Sequence, residues 1–257
     1  MKSTVEDFSE QWMHFSDHAG YWADEECLED YLSPFLSLKD LADKKVAEIG
    51  SGSGRFIKIF SKYALKVSAF EPGDGIQISK NYTSDCSNVE HVRVSAYELP
   101  KEELFDFVFC LGVLHHLAEP TLALSNIRML LNPGGKAIVW VYGKEGNRLY
   151  LFFVKPLRMI TTRISHAKLV MFSKILLWPL KLYIKISSII PIPMHKYMNE
   201  LSKCSDYNLV CNIYDQLNPT IANYWSKEEF EHLLHAAGFS TIELYHRHRY
   251  SWTAFAS

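Results

Sequence analysis

Val46-Ala47-Glu48-Ile49-Gly50-Ser51-Gly52-Ser53-Gly54 is the stretch whose reading decides the fold. Residues 46–49 carry the signal of a short buried strand, and the alternate glycines then turn the chain toward a helical stretch at 55–63. Glycine permits positive φ and close approach of a ligand to the backbone, and in open α/β sheets ligands sit beyond the carboxyl ends of the strands. A glycine-rich turn can also be purely structural, so its neighbours must discriminate. A phosphate-binding loop would end in Gly-Lys-Ser/Thr, whereas Gly54 is followed by Arg55 and Phe56. A dinucleotide fingerprint would need a glycine where Arg55 stands, and a bulky side chain there hinders helix packing against a pyrophosphate. What is left is a ligand with a ribose and no phosphate. Glu71, at the end of the next apolar run, is placed to accept hydrogen bonds from both ribose hydroxyls, and its charge would repel a pyrophosphate.

Outward from this stretch the pattern repeats. Apolar runs at 67–70, 89–94, 105–111 and 136–142 predict strands separated by helices, one of which begins at Pro120 and stops before the turn Asn132-Pro133-Gly134-Gly135. Such alternation predicts right-handed βαβ units and a parallel sheet covered on both faces. Ser226 and Glu229 form a capping box for a helix that ends at Gly238, and runs at 239–245 and 250–255 predict a terminal antiparallel hairpin. The first 44 residues read as helices, with Trp12, Phe15, Cys27, Leu28, Tyr31 and Leu32 at near-helical spacing and Pro34 as a break.

Composition adds a second theme. A chain of 257 residues, 48% hydrophobic, can form one sizeable α/β domain with an elaboration. The net charge of -2 hides an uneven distribution: residues 1–145 hold 14 Lys+Arg against 22 Asp+Glu, residues 146–199 hold 9 against 0, and residues 200–257 hold 4 against 7. A carboxylate-free block between acidic flanks predicts a separate unit facing something anionic; a lid with solvated lysines is the plainer alternative. Arg163, Lys174, Lys181 and Lys185 would form a stripe on one continuous helix, which Pro179 is expected to interrupt. Around them lie Leu169, Val170, Met171, Phe172, Leu176, Leu177, Trp178 and Tyr183, the mixture of a helix lying in a membrane interface or of a cap over an apolar substrate. The longest uncharged run in the block, 186–195, contains two prolines and falls well short of the roughly 20 residues of a membrane span. Five scattered cysteines with no C-x-x-C pair predict neither a disulfide framework nor a metal site. With a polar, acidic N-terminus unlike a signal peptide, they suggest a reducing cytoplasm, with peripheral membrane contact through 146–199.

These residues resemble the class I S-adenosylmethionine-dependent methyltransferases, closely over 45–143 and loosely over 226–257. Residues 46–54 look like the family's first motif, in which Glu48 approaches the cofactor's amino end and Gly50, Ser51, Gly52 and Gly54 pass its methionine part. Phe70-Glu71-Pro72 looks like the second motif, and Ser95-Ala96-Tyr97-Glu98-Leu99-Pro100 like the adenine-contacting third. The run from Phe105 through Leu111 to His115-His116-Leu117 resembles the fourth, and Asn132-Pro133-Gly134-Gly135-Lys136 the turn before the fifth strand. Ser95 stands where the family usually has an aspartate on the adenine amino group, and Glu48 replaces a more usual aspartate; a serine hydroxyl can still accept one hydrogen bond. The resemblance implies S-adenosylmethionine as cofactor and a Rossmann-like, seven-stranded, mostly parallel sheet with an antiparallel terminal hairpin. The residues themselves divide the chain into an N-terminal helical cap (1–44), a core (45–145 with 215–257) and a basic helical lid inserted at 146–214, over which the resemblance gives no detail.

Methyl transfer from a sulfonium is an in-line displacement, so a dry site that aligns the acceptor supplies most of the acceleration. A general base is needed only where the acceptor's proton leaves late. His116 and His115 are the first candidates, Tyr214 and His195 weaker ones, while His246 and His248 read as solvated. Tyr21, Trp22, Tyr142, Tyr214, Tyr224 and Trp225 could line an apolar acceptor pocket or serve as ordinary core. The favoured acceptor is a small or lipid-linked molecule. Nucleic acid is disfavoured because the basic block is rich in Leu and Ile and the chain lacks the Asn/Asp-Pro-Pro-aromatic tetrad of many base-methylating enzymes. An RNA methyltransferase and a noncatalytic binding protein of the same fold stay as alternatives.

Overall fold

All seven predicted runs form strands in the computed structural model, which describes residues 4–257. They are β1 (Lys45–Ile49), β2 (Lys66–Phe70), β3 (Val89–Val92), β4 (Phe105–Leu111), β5 (Leu131–Tyr142), β6 (Ile242–Arg247) and β7 (Ser251–Ala256). The sheet has the order β3-β2-β1-β4-β5-β7-β6. Strands β1 to β5 run parallel, and β7 enters antiparallel between β5 and β6, pairing Trp140 with Thr253 on one side and His246 with Trp252 on the other. Connections after β1 go one way across the sheet and after β4 the other. The carboxyl ends of β1 and β4 therefore flank the crevice where ligands bind in such sheets.

Side-chain alternation along the strands gives each face its own core. On one face Ala47, Val108 and Val139 pack under α5 (Pro120–Met129) and α10 (Lys227–Ala236) through Leu124, Ile127, Phe230 and Leu234. On the other, Val46, Phe109 and Ile138 pack under α2 (Glu25–Leu32) and α3 (Ile57–Tyr63) through Leu28 and Phe60. Helix α1 (Thr4–His14) lies against α4 (Gly75–Tyr82).

Between β5 and α10 the chain forms α6 (Arg148–Thr161), α7 (His166–Ser187), α8 (His195–Leu201) and α9 (Asp206–Leu217). Their inner faces build a core of their own, with Val154, Leu169, Val210, Cys211, Tyr214 and Leu217 buried together with Phe15. Helix α9 runs through position 214 without a break. Pro179 does not interrupt α7. A proline frees the carbonyl four residues before it; that residue, Ile175, is exposed like Pro179 itself, so water can satisfy the freed group. Arg163 falls in the turn before α7, so the basic stripe on that helix reduces to Lys174, Lys181 and Lys185. Among the described residues no helix is long and apolar enough to cross a membrane.

Candidate active site

The glycine loop leaves β1 at the crevice. Gly50 adopts φ +71°, and a Cβ there would lie 2.5 Å from the Val113 side chain, so no other residue fits without displacing the wall opposite. The N–H groups of Gly50 and Ser51 both donate to the Phe70 carbonyl, at 2.7 and 3.1 Å, which ties the loop to the end of β2. Glu71 follows directly. Its carboxylate accepts from the Gly52 N–H at 2.9 Å and the Gly73 N–H at 2.8 Å, so the predicted ribose ligand also holds the loop in shape. Burial raises the Glu71 carboxyl above the usual carboxylate range, against the lowering effect of those two donors.

Glu48 is buried at the end of β1, and its Oε2 has no hydrogen-bond partner. Burial pushes its carboxyl up to about 8, opposed by Arg55 and helped by Glu71. The Ser51 hydroxyl is likewise buried without a partner. Both residues line a cavity of about 550 Å³. An unpaired buried acceptor is costly unless a ligand completes it, and a cationic amino group is the complement that Glu48 lacks. These residues therefore fit the amino-acid end of S-adenosylmethionine, with Glu71 and Pro72 on the wall nearby and Leu111 at the end of β4.

Other predicted contacts stand differently. Ser95 turns its hydroxyl to the N–H of Tyr97 at 3.2 Å, and the carbonyls of Ala96 and Tyr97 accept from Asn126. None of the three is a wall residue of the cavity, and neither is Gly52 or Gly54. Gly52 is covered instead: Trp12 of α1 lies over it, so that a Cβ would meet the indole at 2.8 Å. Thr4, Val5 and Phe8 continue this cover along the cavity.

The paired histidines separate. Nδ1 of His116 lies 2.7 Å from the Ile221 carbonyl. A carbonyl only accepts, so Nδ1 carries the proton and Nε2 keeps a lone pair. His116 is a cavity wall residue, and burial lowers its pKa while Asp215 acts to raise it. His115, predicted beside it as a base, lies outside the cavity wall. It is fully buried, both ring nitrogens lack partners, and it stacks on Tyr142 at 3.7 Å. Burial holds it well below the ordinary histidine range, in the neutral form.

Tyr214 also faces away from the cavity. It is buried in the insertion core with its hydroxyl against Nδ1 of His166. One residue along α9, about 100° round the helix, Asp215 does reach the wall, joined by Gln216 and Asn212. Asp215 accepts from Gln11 at 3.0 Å and from the Tyr142 hydroxyl at 3.2 Å, and Gln216 donates to the same hydroxyl at 2.9 Å. The sequence reading missed this polar cluster, although Asn208, Asn212, Asp215 and Gln216 recur at helical spacing, a signal for a buried polar face. Of the proposed aromatic lining, Tyr21, Trp22, Tyr142 and Tyr224 are wall residues, whereas Trp225 packs on Phe230. His195 holds the end of α7 through the Ser187 carbonyl. His246 and His248 are half-buried rather than solvated, the first stacked on Trp252 and the second against Asp30.

The cavity wall also includes Val154, Leu157, Leu176, Leu180, Tyr183 and Met198 of the inserted helices, and its lining is mostly apolar.

Comparison with known proteins is consistent with this geometry. The sequence profile of the family described as "Methyltransferase domain" matches residues 21–244. A tRNA U34 carboxymethyltransferase from Campylobacter hominis is 32% identical over 142 residues, 54% of this chain and 46% of that protein. A ubiquinone biosynthesis O-methyltransferase from Saccharophagus degradans is 25% identical over 118 residues, 44% of this chain and 50% of that protein. The chain thus spans about half the length of these curated relatives. Among solved structures, the DhpI-SAH complex superposes with a TM-score of 0.60 at 13% identity over 99% of this chain and 95% of that one, a likeness of fold.

Proposed function

The chain belongs to the class I S-adenosylmethionine-dependent methyltransferase family, and from that premise we propose that its acceptor is a small or lipid-like molecule with an apolar body and an ionisable O–H or N–H. One observation carries this reading. The cavity walls bring Glu48, Ser51, His116 and Asp215 together with apolar side chains of the inserted helices, Val154, Leu157, Leu176 and Leu180, a mostly apolar lining that suits a molecule with a polar group and an apolar body.

When bound, S-adenosylmethionine supplies an electrophilic methyl on a sulfonium whose charge disappears during displacement. The protein's own residues do the rest. Glu48 pairs with the amino end, Glu71 takes the ribose hydroxyls, and the backbone at Gly50 and Ser51 lets the methionine part lie close. Tyr142, Asp215 and Gln216 hold the polar end of the acceptor. Nε2 of His116 takes the acceptor proton, and the Ile221 carbonyl fixes the tautomer that leaves Nε2 free to do so. The apolar walls and the cover formed by α1 exclude water. All five cysteines are free, in keeping with a cytoplasmic setting.

A lipid-soluble and an aqueous extract, each incubated with the protein and methyl-labelled cofactor, test the reading. The expected product gains the mass of one methyl in place of hydrogen and partitions into the organic phase. Label confined to RNA would overturn the acceptor assignment. That outcome is the second reading, favoured by the tRNA-modifying enzyme among the relatives and by the basic insertion.

A further inference from the structure

Helix α7 leaves one face uncovered. Met171, Ile175, Trp178, Leu182 and Ile186 recur every three or four residues along it, and all are exposed, Trp178 to 77%. The opposite face, with Leu169, Leu177, Leu180 and Ile184, packs inward. Helix α6 likewise exposes Phe152, Phe153, Met159 and Ile160, and both helices rest on α9 by their inner sides. Isolated exposed apolar residues are ordinary, but a continuous stripe of this size marks an interaction surface.

Charge on the page selects the occupant. Residues 146–199 hold nine Lys+Arg and no carboxylate. Lys174, Lys181 and Lys185 are exposed and fall on one flank of the α7 stripe, roughly 80° round the helix from its centre. Asp206 holds Lys181, whereas Lys174 and Lys185 have no ion-pair partner among the described residues. An apolar stripe flanked by cations is the arrangement of a helix lying in an anionic membrane interface. An RNA surface would need the cations but gains nothing from aliphatic Ile, Leu and Met side chains, which are stabilised only by leaving water. A third observation ties the face to the cavity: Phe153 is a cavity wall residue and is also 65% exposed. Phe153 therefore lies between the cavity and the exposed side of α6.

We propose that the exposed α6–α7 face docks on an anionic lipid bilayer and that the acceptor passes from the bilayer into the cavity beside Phe153. The docking stands by itself; the access route rests on the lipid-like acceptor reading above.

Flotation of the full chain with vesicles of phosphatidylcholine, with and without phosphatidylglycerol, tests the docking. The expected result is binding to the anionic vesicles that weakens as salt rises. Trp178→Glu with Leu182→Glu should weaken it about tenfold or more, and Lys174→Glu with Lys185→Glu should remove the preference for phosphatidylglycerol. These side chains are exposed, and an unchanged melting temperature verifies that each variant is folded. Three results would overturn the docking: no flotation at low salt; flotation indifferent to the Trp178/Leu182 pair; or a stable dimer in vesicle-free buffer that this pair dissociates. RNA binding lost with the lysine pair, without vesicle binding, would assign the face to RNA instead. For the access route, the Trp178/Leu182 variant should lose methylation of vesicle-embedded lipid extract and keep it on the same extract in detergent. Equal loss in both would refute the route, and vesicle binding with no lipid-phase product would refute the acceptor reading while the docking stood.

Discussion

Glu48 makes the donor's affinity depend on pH in a way that can be calculated from the structure. In the cavity its carboxyl titrates at about 8 because it is buried and its Oε2 is unpaired. Pairing with a cationic amino group requires the ionised form. Below pH 8 most of these carboxyls are protonated, so binding carries a cost that grows as pH falls. Affinity should therefore fall about fivefold between pH 8 and 7 and about tenfold between pH 7 and 6, with proton release rising from about half a proton per ligand at pH 8 toward one. Isothermal titration with S-adenosylhomocysteine in buffers of different ionisation enthalpy reads both quantities. Glu48→Gln should bind more weakly at pH 8 and show neither the slope nor the proton release. A flat affinity between pH 6 and 8, or a slope retained in Glu48→Gln, would refute the pairing. Folding responds with the opposite sign. The native chain keeps this proton up to about pH 8, whereas the unfolded carboxyl loses it near 4.5, so native stability falls as pH rises between the two values. Thermal melts of Glu48→Gln should lack that fall.

The remaining predictions concern the walls of the cavity. His116→Asn should lower kcat by about 10²- to 10⁴-fold with little change in donor affinity. At saturating donor the wild-type rate should be lost only as pH falls below the ordinary histidine range, because burial lowers this ring's pKa and the base acts when neutral; an acid limb unchanged in His116→Asn would exclude it as the base. Glu71→Ala should weaken the donor by about 1 to 3 kcal/mol in the same calorimeter, since it removes the ribose acceptor and the tie to Gly52 together; unaltered affinity would contradict the assignment. Asp215→Asn should raise the acceptor KM about tenfold, whereas Tyr214→Phe should lower the melting temperature by a few degrees with near-normal kinetics. The reverse pattern would move the acceptor site to the other side of α9.

The sheet was legible because its strands are buried on both faces and appear as short apolar runs punctuated by Gly, Pro and Asn. Residues 105–111 needed no tertiary information, whereas 132–135, expected as a turn, lie inside β5, whose start at Leu131 pairs with Phe105 across an irregularity in the register. The donor side was legible for a related reason: Gly50, Glu48 and Glu71 are close in sequence to the turns that position them. The acceptor side depends on which way a helix faces, and composition does not encode that. Tyr214 and Asp215 are neighbours in sequence and point to different environments, and His115 and His116 differ in the same way. Continuity of α7 through Pro179 was likewise hidden, because it depends on Ile175 lying at the surface, where water can take the place of the missing N–H. Trp12 read as core spacing, and only its place above Gly52 shows that it covers the loop.

Helix α1 ties two parts of the cavity to each other. Besides resting on the glycine loop, it is anchored to the inserted unit: Gln11 donates to Asp215, and Asp7 accepts from Thr220 while its carbonyl takes the amide of Asn218. The cover over Gly52 and the cavity wall at Asp215 are thus joined through one helix. Displacing α1 would therefore uncover Gly52 and release Asp215 together.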